Sequence, residues 1–169
     1  MRLLRGSPAS SGVARGPWLR VVAEPAPSGG RIAAEAAEAE LARLAGAAER
    51  AAMDLEALAA SVAAGGHPDE AAIFAAQATM ARDPALAESA AARIRDGEDA
   101  VGAVVGAGRE FADQLRALGE EVFVARAADV EDVSDRIAGL LAGRAPAGPA
   151  LERPSIVVAE DLPPSVTAS

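Results

Sequence analysis

Between Arg31 and Ala64, apolar residues return at alternating steps of three and four: Leu41, Leu44, Ala48, Ala51, Leu55, Leu58 and Val62. That spacing gathers them into one stripe of an α-helix and leaves Glu49, Arg50 and Glu56 on the opposite face. The pattern predicts a helix over 31–64, roughly 50 Å long, opened by Ser28-Gly29-Gly30 and closed by Gly65-Gly66. A stripe so rich in Ala buries too little by itself, so partner helices must press closely against it.

The downstream pattern supplies them. Pro68-Asp69-Glu70 is a helix start, with Pro in the first turn and acids at the positive end, leading into a short helix over Ala71–Met80. Asp83 caps the next, with Pro84 first, which runs to Arg95 and stops at Asp96-Gly97. A helix over Glu98–Leu118 carries Val101, Val104, Gly108, Phe111, Leu115 and Leu118 along one side and ends at Gly119. The last, over Arg126–Ala142, presents Val130, Val133, Ile137, Leu140 and Leu141.

Outside this block the period shortens. Arg2–Arg5 and Pro17–Ala23 read as strands separated by the turn-rich GSPASSGVARGP, and Pro154–Ala159 reads as a buried-type strand after the linker Gly143–Pro149. A helical block that interrupts a β-pattern and returns to it predicts an insertion in an α/β domain. The expected organisation is 1–30 as the first part of that domain, 31–143 as the inserted helical subdomain, and 144–169 as linker and return strand. The sequence then reads EDLPPSVTAS, and a strand so close to the last residue predicts a sheet left incomplete.

Composition narrows the picture. Of 169 residues, 51% are hydrophobic but only 2% aromatic, so the core must be built from Ala, Leu, Val and Ile, a grain that favours close helix–helix packing. The formal charge of −9 argues against nucleic acid and anionic membranes and would draw in a basic partner. With no Cys there are no disulfides or thiolate metal sites, as expected of a cytoplasmic protein. Gly and Pro break the first 22 residues too often for a signal peptide, and no apolar run nears the ~18 residues of a membrane span.

Four stretches then resemble the N-terminal region of phosphoenolpyruvate–protein phosphotransferase, Enzyme I of the bacterial sugar phosphotransferase system. ASSGVARGP (Ala9–Pro17) is close to A-S-P-G-I/V-A-x-G, with Ser11 in place of the usual Pro. EAAIFAAQATMARDPAL (Glu70–Leu86) is similar to E-A-x-I-F-x-A-H-x-x-L followed by D-x-x-L. RAADVEDVSDR (Arg126–Arg136) matches R-A-x-D-V-x-D-V-x-x-R throughout. VVAEDLPPSVTA (Val157–Ala168) is similar to V-A-x-x-L-x-P-S-x-x-A.

The resemblance implies a helical subdomain that docks the small phosphocarrier HPr, inserted in an α/β phosphohistidine domain. The family's phosphoacceptor histidine sits in a G-G-x-x-S-H motif that these residues do not contain. Its Mg²⁺ and phosphoenolpyruvate site belongs to a separate barrel, so no catalytic, cofactor or metal residue is expected here and these residues alone should be inactive. Carried over position by position, docking falls to Asp69 and Asp83 as acids, Leu86 and Leu115 as apolar contacts, Met80 and Phe123 in place of leucines, and Arg126 near the phosphotransfer route. Pro68, Ala75 and Ala85 stand where the family often has acids, and Gln77 replaces a helical His. Docking is therefore expected to be weaker or retuned.

His67 follows two glycines but precedes Pro68-Asp69-Glu70, and reads as a turn residue before a helix. Asp129, Glu131, Asp132 and Asp135 read as a solvated helix face, and Gly102, Gly106 and Gly108 as close-packing positions. Two other readings stay open: a free-standing acidic helical binding or regulatory protein without catalysis, and a nitrogen-branch or dihydroxyacetone-kinase relative.

Overall fold

The computed structural model describes residues 13–21, 28–144 and 154–159. The strand expected at Arg2–Arg5, most of the GRAPAGP linker and the closing EDLPPSVTAS lie outside the described residues. Five helices follow one another: α1 (Ala37–Ala64), α2 (Pro68–Ala81), α3 (Pro84–Arg95), α4 (Ala100–Ala117) and α5 (Glu121–Leu141). Two strands flank them in sequence, β1 (Trp18–Val21) and β2 (Ile156–Ala159), paired in parallel with Trp18 opposite Ile156 and Val21 opposite Ala159. A parallel pair requires a long crossover. Here the whole helical block is that crossover, so the chain is mostly helical with a small sheet.

Local chemistry sets most helix ends. Asp83 accepts from the backbone N–H of Ala85 at 2.8 Å and Pro84 opens α3. Asp99 caps α4 through the Gly102 N–H at 2.8 Å. α2 begins at Pro68, three residues before the expected Ala71, because Pro68 itself takes the first helical position with Asp69 and Glu70 in the first turn. Gly119, at φ 77°, lets the chain reverse between α4 and α5.

Two expected boundaries fail for physical reasons. α1 starts at Ala37 and not at Arg31, because residues 30–32 pair with the turn before α4: the Ile32 N–H donates to Gly97 at 2.9 Å and Asp99 donates to Gly30 at 3.0 Å. Gly29 lies against the backbone of Gly102, where any Cβ would collide. α5 begins at Glu121, five residues before the expected Arg126. Its first turns expose Val122 and Val124, so no inward stripe marks them in the sequence.

The core lies where the five stripes meet. Ala51, Ala52 and Leu55 of α1, Phe74 and Ala78 of α2, Ile94 of α3, Val104 of α4, and Val133 and Ile137 of α5 are at most 2% exposed. Small residues bring the axes together: a Cβ on Gly108 would overlap the Ser134 side chain, whose hydroxyl donates to the Val130 carbonyl at 2.8 Å.

The acids of α5 are not a solvated face. Glu131 accepts from Arg116 at 2.9 Å, Asp132 accepts from the Gln77 amide at 3.2 Å, and Asp129 pairs with Arg126 at 3.4 Å. These three are half-buried and only Asp135 is exposed. The reason is that α5 packs against both α4 and α2, so carboxylates on its flanks meet partners from either side. The carboxyl of Asp135 is itself pushed above the usual Asp range, first by desolvation, with Arg109 opposing and Glu131 adding to the rise.

Candidate functional site

The sharpest turn in the block makes the site. α2 stops at Ala81 because Asp83-Pro84 redirects the chain into α3. That corner leaves Met80 half-buried while Leu86 turns inward and is buried. On the other side, the last turns of α4 continue the apolar stripe through Phe111, Leu115 and Leu118, and α5 contributes Val130 and Val133. Between them runs an apolar groove of about 540 Å³, lined also by Asp83, Ala85, Gln114 and Arg126.

Burial grades across it. Leu86 and Val133 are buried in its floor, Met80, Phe111, Leu115 and Val130 are half-buried in its walls, and Leu118 is 58% exposed at its mouth. Apolar side chains left in this state at the end of a well-formed stripe are the signature of a surface built to be covered.

Among the described residues, only two charged side chains line the groove, Asp83 and Arg126. Asp83 is already committed on one side to capping α3, and Arg126 leans towards Asp129 one turn on. The two rims therefore offer one negative and one positive pole.

Two arginine clamps fix the arms on either side. Arg82 joins α2 to α1 by gripping Glu49 at 2.8 Å together with Glu56. Those hydrogen bonds hold the Arg82 guanidinium well above its ordinary value and Glu49 below the usual carboxylate range. Arg116 joins α4 to α5 through Glu131, the main cause of its raised value.

Of the seven residues singled out from sequence, the structure brings Met80, Asp83, Leu86, Leu115 and Arg126 onto this one groove. Asp69 sits in the exposed first turn of α2, eleven residues before Met80, and Phe123 is half-buried in the first turn of α5; neither lines it. Phe111, Leu118, Val130 and Val133, stripe residues in the sequence, also share the groove. The available signal was that the α4 stripe changes from Val and Gly to Phe and Leu in its last turns.

Gln77, which replaces the family's helical His, is an interior residue. It is 1% exposed, wedged between α2 and α5, with its amide donating to Asp132 and its carbonyl oxygen lacking a partner. The position where the family pattern has a His is thus interior to the helix pair and not on the groove. His67 is an exposed residue just before α2, its Nδ1 3.4 Å from Glu70. It has no shielded, oriented setting of the kind nucleophilic catalysis requires.

The profile of the family described as PEP-utilising enzyme, N-terminal, matches residues 5–126. The chain belongs to that family. Over 167 residues it is 38% identical to a phosphoenolpyruvate-protein phosphotransferase of Streptomyces coelicolor, and over 169 residues it is 32% identical to one of Geobacillus stearothermophilus. These matches cover 98% and 99% of the chain, which spans 29% of the length of each relative.

Among solved structures, the solution structure of an Enzyme I protein superposes with a TM-score of 0.75 at 28% identity. A nitrogen-type Enzyme I N-terminal domain gives 0.70 at 25%. Each comparison covers 90% of this chain and 63% of the other. Among the described residues of this family member, no helix is long and apolar enough to cross a membrane.

Proposed function

We propose that this chain is the N-terminal portion of a phosphoenolpyruvate–protein phosphotransferase and that its helical block docks an HPr-like phosphocarrier. Phosphoryl groups from phosphoenolpyruvate would then pass to that carrier for sugar uptake in the cytoplasm. One observation carries the reading: Met80, Asp83, Leu86, Leu115 and Arg126, all docking positions that the family resemblance implies, line one open apolar groove. Family membership and the likeness to Enzyme I structures support it.

In this reading each residue has a physical task. Met80, Leu86, Leu115 and Leu118 supply apolar area that the partner covers. Asp83 and Arg126, on opposite rims, fix the partner's register, and the net charge of −9 steers a basic protein inwards. Asp69 and Phe123 would add contacts only to a partner that overhangs the groove. The helical block, 31–143, is the docking part, and the flanking strands belong to the α/β part.

The phosphoryl-transfer chemistry of the whole family lies with the remainder of Enzyme I. The described residues contain no group of three His, Asp or Glu side chains arranged to hold a metal ion. His67 is expected to stay unlabelled by phosphoenolpyruvate and Mg²⁺; a stable phosphohistidine there would overturn this assignment.

Calorimetric titration of the 169-residue chain with a basic HPr-like protein tests the docking role. Saturable binding that weakens with salt is expected. A nitrogen-type carrier is the second partner to titrate, given the likeness to the nitrogen-type domain. Absence of heat with both carriers at millimolar concentration would refute the proposal.

A further inference from the structure

Of the residues that α2 buries, Ala71, Phe74, Ala78 and Ala81 are apolar and Gln77 alone is polar. Gln77 is 1% exposed, and its amide nitrogen donates to the half-buried Asp132 of α5 at 3.2 Å. Its carbonyl oxygen, equally interior, has no partner. An amide buried with one end unmet costs stability that an apolar side chain of similar volume would not. What it adds is direction. Apolar burial follows area and tolerates sliding, whereas this hydrogen bond is satisfied at only one offset of α2 along α5.

That offset is felt at the groove. Met80 lies three residues beyond Gln77, a neighbouring position on the surface of α2. Val130 and Val133 bracket Asp132 on α5, and with Met80 they line the groove, which Gln77 itself does not. A slip of one residue along either helix axis would carry one wall past the other by about 1.5 Å.

The geometry points to Gln77 as a positioning residue: through Asp132 it fixes the register of α2 on α5, and with it the shape of the groove between Met80 and Val130. The consequence for carrier binding rests on the docking role proposed above. The register itself does not, and can be read with no carrier present.

Gln77→Met in the 169-residue chain keeps the volume and removes the donor. Its denaturation midpoint should equal or exceed that of the parent. The amide signals of Met80, Val130 and Val133 should nevertheless broaden by microsecond-to-millisecond exchange, while those of Gly30 and Asp99 stay sharp. If about a third of the molecules keep the competent register, affinity for an HPr-like carrier falls about threefold. Gln77→His, whose ring N–H can be offered to Asp132, should restore sharp signals and parental affinity. Asp132→Ala removes the acceptor from the other side and should reproduce the local broadening.

Sharp groove signals in Gln77→Met, or no recovery in Gln77→His, would overturn the inference. So would broadening across all five helices with a lowered midpoint, or failure of both Gln77→Met and Asp132→Ala to fold, since the pair would then hold the core as a whole. Should the parent chain bind no carrier, the docking role falls and the amide signals alone decide the register.

Discussion

The two ends of α4 lie on one apolar stripe, small-grained at its start and bulky at its finish, and are used in opposite ways. At its start, Asp99 caps the helix and also accepts from the Gly30 N–H at 2.7 Å, while Glu40, reaching from α1, accepts from the Ala100 N–H at 2.8 Å. Glu40 is 9% exposed, Ala100 and Ala103 are fully buried, and Gly102 meets Gly29 at backbone contact. The N–H groups of Gly30, Ala100 and Gly102 at that end all have acceptors. At its finish, Phe111, Leu115 and Leu118 grade from half-buried to exposed along a groove with no cap of its own. The lesson is that the satisfied end holds the fold and the unsatisfied end is available for a partner.

Substitutions can break or sharpen this contrast. The largest effect is expected midway along α4, where Gly108→Val would drive methyls into Ser134. Overpacking of this kind costs about 3 kcal/mol, and chemical denaturation should show it as a lowered midpoint. Next is Glu40→Ala, which strands the buried Ala100 N–H and should cost about 2 kcal/mol by the same measurement. Carrier affinity per folded molecule should be unchanged in both.

At the other end, Leu115→Ala should reverse that profile. Stability falls by less than in either variant above, because the side chain is already half out of the core, yet carrier affinity falls roughly tenfold, about 1.4 kcal/mol. A Leu115→Ala chain that bound as well as the parent would erase the distinction between the two ends.

The smallest effect concerns the clamp behind the groove. Glu49 is held below the usual carboxylate range by Arg82, so its stabilising contribution is complete above that range and is lost as pH falls through its lowered value. Thermal midpoints should therefore decline in acid, and Glu49→Gln should flatten only the part of that decline lying between the usual and the lowered carboxylate values. Both partners are exposed, so the change should be slight.

How much of this could be read beforehand depended on whether the deciding interaction was local. The Asp83-Pro84 start of α3 and its end at Arg95 were legible because cap and breaker are sequence neighbours. The start of α1 was not, because it is set by pairing of residues 30–32 with 97–99, far along the chain. The opening of α5 escaped because Val122 and Val124 face outwards and break the inward period. The groove was half legible: the family resemblance pointed to Met80, Leu86 and Leu115, whereas Phe111 and Val130 join it only through the crossing of α4 over α5. Likewise, the burial of Gln77 follows from how α2 meets α5 and from nothing in its neighbours.

The measurement that bears most directly on the docking groove is an amide-resolved NMR titration of the 169-residue chain with an HPr-like carrier. The account predicts shifts concentrated at Met80, Leu86, Leu115, Leu118 and Arg126, with the Gly30–Asp99 end of α4 unmoved. No response at millimolar carrier, or shifts centred on that capped end, would contradict it.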